Sequence, residues 1–129
     1  MDVVRDFRRG AVRLHVLHHA AESEVSGTWM SEELARHGYR ISPGTLYPLL
    51  HALEEQGLLT SVQRTEGGRV LRYYAATAAG RQTLEQARRA LVELANELLV
   101  EREGSGRRGG RRMVDRSRAR TANRAGTRS

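Results

Sequence analysis

Apolar residues recur at intervals of three and four from Asp2 to about Ala21. Val4, Phe7, Ala11, Leu14, His18 and Ala21 form one row, and Val12, Val16 and Leu17 widen it. That period predicts an amphipathic helix with Asp2 as its N-cap. A polar loop, AESEVSG, separates it from a short helix, Thr28 to His37, that buries Met30 and Leu34. Arg36 and His37 suit the negative end of that helix, and Gly38 is a left-handed stop. A third helix begins at Ser42, turns Leu46, Leu49, Leu50 and Leu53 inward, and ends at Gly57. Pro43 stands at its first position, where a missing N–H costs nothing. Pro48 deletes a bond to the Gly44 carbonyl, which predicts a tight, 3₁₀-like opening turn.

Beyond it, LLTSVQR and RVLRYYA flank TEGG, the pattern of a β-hairpin. Leu71, Tyr73 and Ala75 form one apolar face of the second strand, so Tyr73 is expected to pack on the core, and Tyr74 is left unassigned. Thr77 caps a last helix of roughly 27 residues, about 40 Å long, reaching Glu103. Leu84, Ala87, Leu91, Leu94 and Leu98 give it a heptad seam, with Val92, Ala95 and Leu99 beside it. A seam this wide needs a partner, most simply a second copy of the chain. The expected fold class is mainly α with a small β-hairpin. Residues 1–76 would form a winged helix-turn-helix, 77–103 a dimerisation helix and 104–129 a disordered tail.

Charge sharpens that division. Residues 1–103 carry 13 arginines and 14 acids, net −1, whereas 104–129 carry nine arginines and one acid, net +8. The tail has only Met113 and Val114 as strongly apolar side chains, too few to offset the entropy of ordering it. All 22 basic residues are arginine, a bias that fits a G+C-rich genome better than a function. The absence of cysteine excludes disulfides, thiolate metal sites and cysteine nucleophiles. No apolar run spans a bilayer and the charged N-terminus is no signal peptide, so a cytoplasmic location is expected, with no membrane partner.

Helix, turn, helix and hairpin in that order predict a winged DNA-binding module whose third helix enters the major groove by its N-terminal end. Small Gly44 and rigid Pro43 would let the helix terminus approach a phosphate. Gly44, Pro48, His51 and Glu55 lie opposite the leucines, with Thr45 and Tyr47 on the flanks. His51 is either a base or phosphate contact or an idle surface residue. The wing offers Arg64, Arg69 and Arg72 around Gly67 and Gly68.

The string YRISPGTLYPLLHALEEQGLLTS, followed by GGRVLRYYAATAAGRQTL, resembles the PadR family of bacterial transcriptional regulators, over about residues 9–103. The length is similar to that of its smaller subgroup. The resemblance implies a homodimeric winged helix-turn-helix, usually a repressor, on a pseudo-palindromic operator in double-stranded DNA. It implies DNA contacts by Ser42, Pro43, Gly44, Thr45 and Tyr47, and a wing tip at Gly68 and Arg69. It also implies that the last helix packs on the partner's first helix, making Phe7, Leu14, Leu84, Leu91, Leu94 and Leu98 the dimerisation set. Some members release DNA on binding a small aromatic or drug-like effector. Trp29 would then line the effector pocket, unless it is a plain packing aromatic. The arginine tail departs from the family pattern.

Other chemistries find little footing. His15 and His19 share a helix face, but without cysteine or a carboxylate at ligand spacing no metal site and no cofactor are expected. Ser42 sits in no nucleophile elbow, and no histidine–carboxylate pair is suggested by spacing, so the chain is not read as an enzyme. The alternative reading is a winged-helix interaction scaffold whose basic tail binds an acidic partner.

Overall fold

The computed structural model describes residues 2–100. In chain order they form α1 (Val3–Glu22), β1 (Val25–Ser26), α2 (Gly27–Arg36), α3 (Pro43–Glu55), β2 (Leu59–Glu66), β3 (Arg69–Ala76) and α4 (Ala78–Ala95), followed by a π-type turn, Asn96–Val100. Among the described residues, those up to Gln86 make one compact unit and those from Ala87 belong to a second. The first unit is a winged helix-turn-helix. The last expected helical residues, 101–103, and the arginine-rich segment 104–129 lie outside the described residues.

Asp2 caps α1 by accepting the Arg5 N–H at 3.1 Å. The inward row of α1 is Val12, Val16, Leu17 and Ala20. Val4 and Phe7 of the expected row are 66% and 57% exposed instead. The two rows are neighbours on the helix, and the row that meets Met30, Leu34, Leu46, Leu50 and Leu53 is the one that is buried. In α2, Ser26 accepts the Trp29 N–H at 3.1 Å, and Gly38 takes φ +87° after the last turn. That conformation costs glycine little and a residue with a Cβ considerably more.

The sheet corrects two expectations. Val25 and Ser26, taken as loop, form a two-residue strand, and the sheet order is β1-β3-β2, all antiparallel. With β3 central, Tyr74 rather than Tyr73 is the core residue, at 5% exposure. Burial pushes the Tyr74 hydroxyl pKa up. Tyr73 lies on the other face, donates to Glu66 at 2.8 Å and stacks under Arg64. The TEGG turn tightens to Gly67-Gly68, because Thr65 pairs with Val70 and Glu66 with Arg69. Both glycines have positive φ, +56° and +76°, as a two-residue type I′ hairpin requires.

α3 is α-helical throughout, Pro48 included. The tightening expected at Pro48 occurs at the cap, where the Ser42 carbonyl accepts both the Thr45 and Leu46 N–H groups, at 3.0 and 2.9 Å. Thr77 accepts the Gly80 N–H at 3.0 Å and donates to the Gly57 carbonyl at 2.6 Å, so one side chain starts α4 and fastens the end of α3. Leu84, expected at a dimer interface, is 6% exposed within the core of its own unit. The first turns of α4 press against Leu58, and that approach carries Leu84 inward.

Gly80 makes the approach feasible. A Cβ there would overlap the Leu58 carbonyl oxygen, a backbone atom with no rotamer to escape into. Gly80→Ala is therefore expected to destabilise the protein by about 3 kcal/mol despite alanine's better helix propensity. The urea-unfolding midpoint reads this; an unchanged midpoint would mean that α4 does not seat on Leu58.

Candidate nucleic-acid interface

Leu46, Leu50 and Leu53 are 1%, 0% and 3% exposed, and they fix which side of α3 faces water. That side carries Ser42, Pro43, Gly44, Thr45, Tyr47, Pro48 and His51, all exposed. Ser42 does not cap through its side chain; its hydroxyl donates to the Thr45 hydroxyl at 3.4 Å. Pro43 has no N–H, so the Gly44 amide is the first donor of the helix, and nothing stands over Gly44 beyond the Ser42 hydroxyl. Tyr47 leans back across the start of α2. A methyl group on Gly27 would fall 2.7 Å from its ring and hydroxyl. Further along, His51 faces Glu55 at 3.4 Å, so negative charge accumulates toward the C-terminal end of the exposed face.

The wing residues separate into two kinds. Gly68 and Arg69 form the exposed hairpin tip. Arg64 is held by Glu24 at 2.7 Å and lies over the Tyr73 ring at 5.0 Å. Arg72 donates to the Ser61 hydroxyl at 3.0 Å, and Ser61 donates to the Glu54 carboxylate at 2.9–3.0 Å. Arg64 and Arg72 thus serve internal contacts, and Arg69 is the wing cation left at the tip.

A cleft of about 380 Å³ opens beside the first turn of α3, lined by Arg5, Arg8, Arg9, Arg40, Thr45 and Leu49 among others. Arg8 donates to the Gly38 carbonyl at 3.3 Å and lies 4.9 Å over Tyr39, which orients that wall. Sequence reasoning missed these four arginines. Their signal was the doublet at Arg8–Arg9 and the YR step at Tyr39–Arg40, read in the sequence only as part of a charged N-terminus and of the turn before the third helix. Trp29 is 39% exposed and packs edge-on against His19, with ring centroids 5.4 Å apart.

Where α1 crosses the end of α2, His15, His19 and His37 gather around Glu33. His15 and His37 stack at 4.8 Å, and Glu33 lies 3.1 Å from His37 Nε2 and 3.7 Å from His19 Nε2. Desolvation, reinforced by neighbouring histidines, lowers the pKa of His15 and of His19.

Comparison with known proteins places this geometry. Residues 16–86 match the model of the Transcriptional regulator PadR-like family. Over 96 residues the chain is 62% identical to Transcriptional regulator Rv3488 of Mycobacterium tuberculosis, covering 74% of this chain and 90% of that one. This chain belongs to the PadR-like family of transcriptional regulators. A PadR family regulator from Eggerthella lenta has a solved structure similar to this one, with TM-score 0.66 and 34% identity, covering 74% and 84% of the two chains. Bacillus subtilis PadR, solved with operator DNA, gives TM-score 0.54 at 20% identity over 59% of this chain and 46% of that one, a likeness of fold.

In this PadR-like chain the Arg72–Ser61–Glu54 relay ties the wing to the back of α3, since Glu54 is on α3 and Ser61 on β2. Ser61→Ala leaves a guanidinium and a carboxylate without their shared hydroxyl. It is expected to lower stability by about 1–2 kcal/mol, read by urea unfolding. A loss below about 0.3 kcal/mol would show that solvent serves both groups equally well.

Proposed function

We propose that the protein is a homodimeric, non-catalytic repressor of the cytoplasm that binds a pseudo-palindromic operator in double-stranded DNA. The observation that carries this reading is the open first turn of α3. Its leucines are buried, and Ser42, Pro43, Gly44, Thr45 and Tyr47 are left to solvent. A helix N-terminus in the major groove offers its amides to a phosphate and its first side chains to base edges. Thr45, Tyr47 and His51 are suited to the bases. The cleft arginines and Arg69 are suited to the flanking backbone. The family relative solved with operator DNA supports the same use of the fold.

A dimer is supported by apolar surface that one chain leaves open. On the second unit Leu91, Val92, Leu94, Leu98 and Leu99 are 41–60% exposed, and on α1 Val3, Val4 and Phe7 are 57–75% exposed. Packing the helix of one copy on α1 of the other, twice about a two-fold axis, covers both patches. Leu14, half-buried against the core, would border that contact. Two α3 helices related by that axis would read two half-sites, hence the pseudo-palindrome. Release by a small aromatic or drug-like ligand belongs to the same reading, with Trp29 available to stack on it.

Gel-shift titration tests it, using DNA from upstream of the protein's own gene against a scrambled duplex at two salt concentrations. Preference for the upstream DNA, with rising reporter expression when the gene is deleted, is the expected result. Equal binding of both duplexes, and of other candidate operators, would defeat it in favour of the interaction scaffold. Arg69→Ala is expected to weaken binding to all sequences alike and to reduce the salt slope by about 1, with the dimer intact. Unchanged affinity would remove the wing tip from the interface. Leu91→Glu would bury an unpaired charge in the dimer at a cost of about 3–5 kcal/mol. Sedimentation should then find monomers, and a surviving dimer would put the contact elsewhere.

A further inference from the structure

We propose that the chain carries a binding site for a divalent transition cation of the zinc class, formed by His15 and His19 of α1 with Glu33 and His37 from the end of α2. Each helix contributes a pair one turn apart, so both members of a pair project from the same face. The donor nitrogens of the three histidines lie within 4.8 Å of one another. The Glu33 carboxylate adjoins two of them, 3.1 Å from His37 Nε2 and 3.7 Å from His19 Nε2. Three imidazole donors from two helices therefore converge, with the Glu33 carboxylate beside two of them, all within one unit of one chain.

Aromatic packing is the competing account of the cluster, and it explains only part. It accounts for the His15–His37 stack at 4.8 Å and for His19 edge-on to Trp29 at 5.4 Å. It does not account for the direction of the nitrogens. His19 Nε2 is buried with no hydrogen-bond partner among the described residues, a costly arrangement for a polar atom unless a ligand completes it. Stacked rings also have no need of a carboxylate that is itself only 15% exposed.

The donors define the class of cation. Three imidazole nitrogens and one carboxylate oxygen, with no thiolate and no cluster of oxygens, suit Zn²⁺, Co²⁺ or Ni²⁺ rather than Cu⁺, Ca²⁺ or Mg²⁺. Tetrahedral bonds of about 2.0–2.1 Å require donors about 3.3 Å apart. The widest separation among the histidine nitrogens must therefore close by somewhat more than an ångström, about what a small rotation of one ring supplies. His37, 46% exposed, has room to make it. Bound metal would pin α1 to the last turn of α2, directly before Gly38 and Tyr39 lead to α3. Its effect on operator affinity rests on the DNA-binding reading above, whereas the binding itself does not.

The test uses the full chain without an affinity tag, stripped with chelator, dialysed and titrated with Co²⁺ in the absence of DNA. One Co²⁺ per chain is expected, with the intense visible bands of a four-coordinate ion, abolished by adding Zn²⁺. His37→Gln, at the solvent edge of the cluster, and Glu33→Gln, which removes the charge and keeps the side chain's shape, should each weaken binding at least about tenfold while the metal-free melting curve stays in place. As a readout independent of variants, Zn²⁺ should shift the imidazole ¹⁵N resonances of His15, His19 and His37 and leave His51 unmoved. No saturable Co²⁺ binding would overturn the proposal. So would binding that both variants retain, or shifts confined to other histidines.

Discussion

The one-sided burial of α3 is the constraint on which the rest of the molecule depends. Leu46, Leu50 and Leu53 sit in a core shared by α1, α2 and the sheet, so α3 cannot roll without exposing them. Burying three leucines contributes about 5–8 kcal/mol, comparable to the whole stability of a small domain. With the leucines fixed, helical geometry assigns Gly44, Pro48 and His51 to the opposite side. The two prolines then become tolerable. Pro43 occupies a position whose amide would have no partner, and Pro48 frees only the Gly44 carbonyl on the solvent side. A helix opening of this composition would be a defect in a buried helix. At an exposed N-terminus it supplies a rigid edge with little side-chain bulk.

Positioning comes from short polar ties at the margins of that core. Thr77 fastens the end of α3 to the start of α4, and the Arg72–Ser61–Glu54 relay joins the wing to α3 from behind. Tyr47, braced on the bare Cα of Gly27, links α3 to the start of α2. Each tie involves a residue whose size matters more than its hydrophobicity, namely Thr77, Ser61 and Gly27. That explains why none of the three stood out in the sequence as a functional residue.

Helices and hairpin were legible because each period was carried by several residues. The leucine pattern of α3 tolerates an error at one position and still gives the same face. β1 was illegible because two residues in AESEVSG cannot express a period, and β1 exists only through pairing with β3. The exchange of Tyr73 and Tyr74 has a related cause. Both faces of RVLRYYA carry a tyrosine, so alternation alone does not choose between them, and β3 is decided by its neighbours. Leu84 fitted the heptad seam as well as Leu91 does, but Gly80 lets the start of α4 approach Leu58 and takes Leu84 into the core. The histidine cluster was half visible. His15 and His19 were paired by spacing, and Glu33 and His37 have the same spacing on another helix. Only the crossing of α1 and α2 brings the two pairs together.

Electrostatics then decides how a near-neutral body can address a polyanion. At physiological ionic strength charges farther apart than about 8 Å hardly sense one another, so the net charge of −1 over residues 1–103 says little about any one surface. Arrangement counts instead. Glu24 and Glu54 are spent on Arg64 and on the Ser61–Arg72 relay, and Glu33 lies among histidines. Arg5, Arg8, Arg9 and Arg40 line the cleft beside Thr45, and Arg69 stands at the wing tip. The carboxylates on α3 itself, Glu54 and Glu55, stand at its far end, away from the Gly44 amide, and in the cleft four arginines outnumber Asp2. A phosphate backbone approaching the first turn of α3 would therefore meet cations and helix-terminal donors first. On the proposed reading, the body would discriminate by fit at short range, since it lacks the general positive field that would hold it to any duplex. On the same reading, the nine arginines of residues 104–129 would supply such a field without regard to sequence. Attraction and discrimination would then fall to different parts of the chain, so that each could be altered without changing the other.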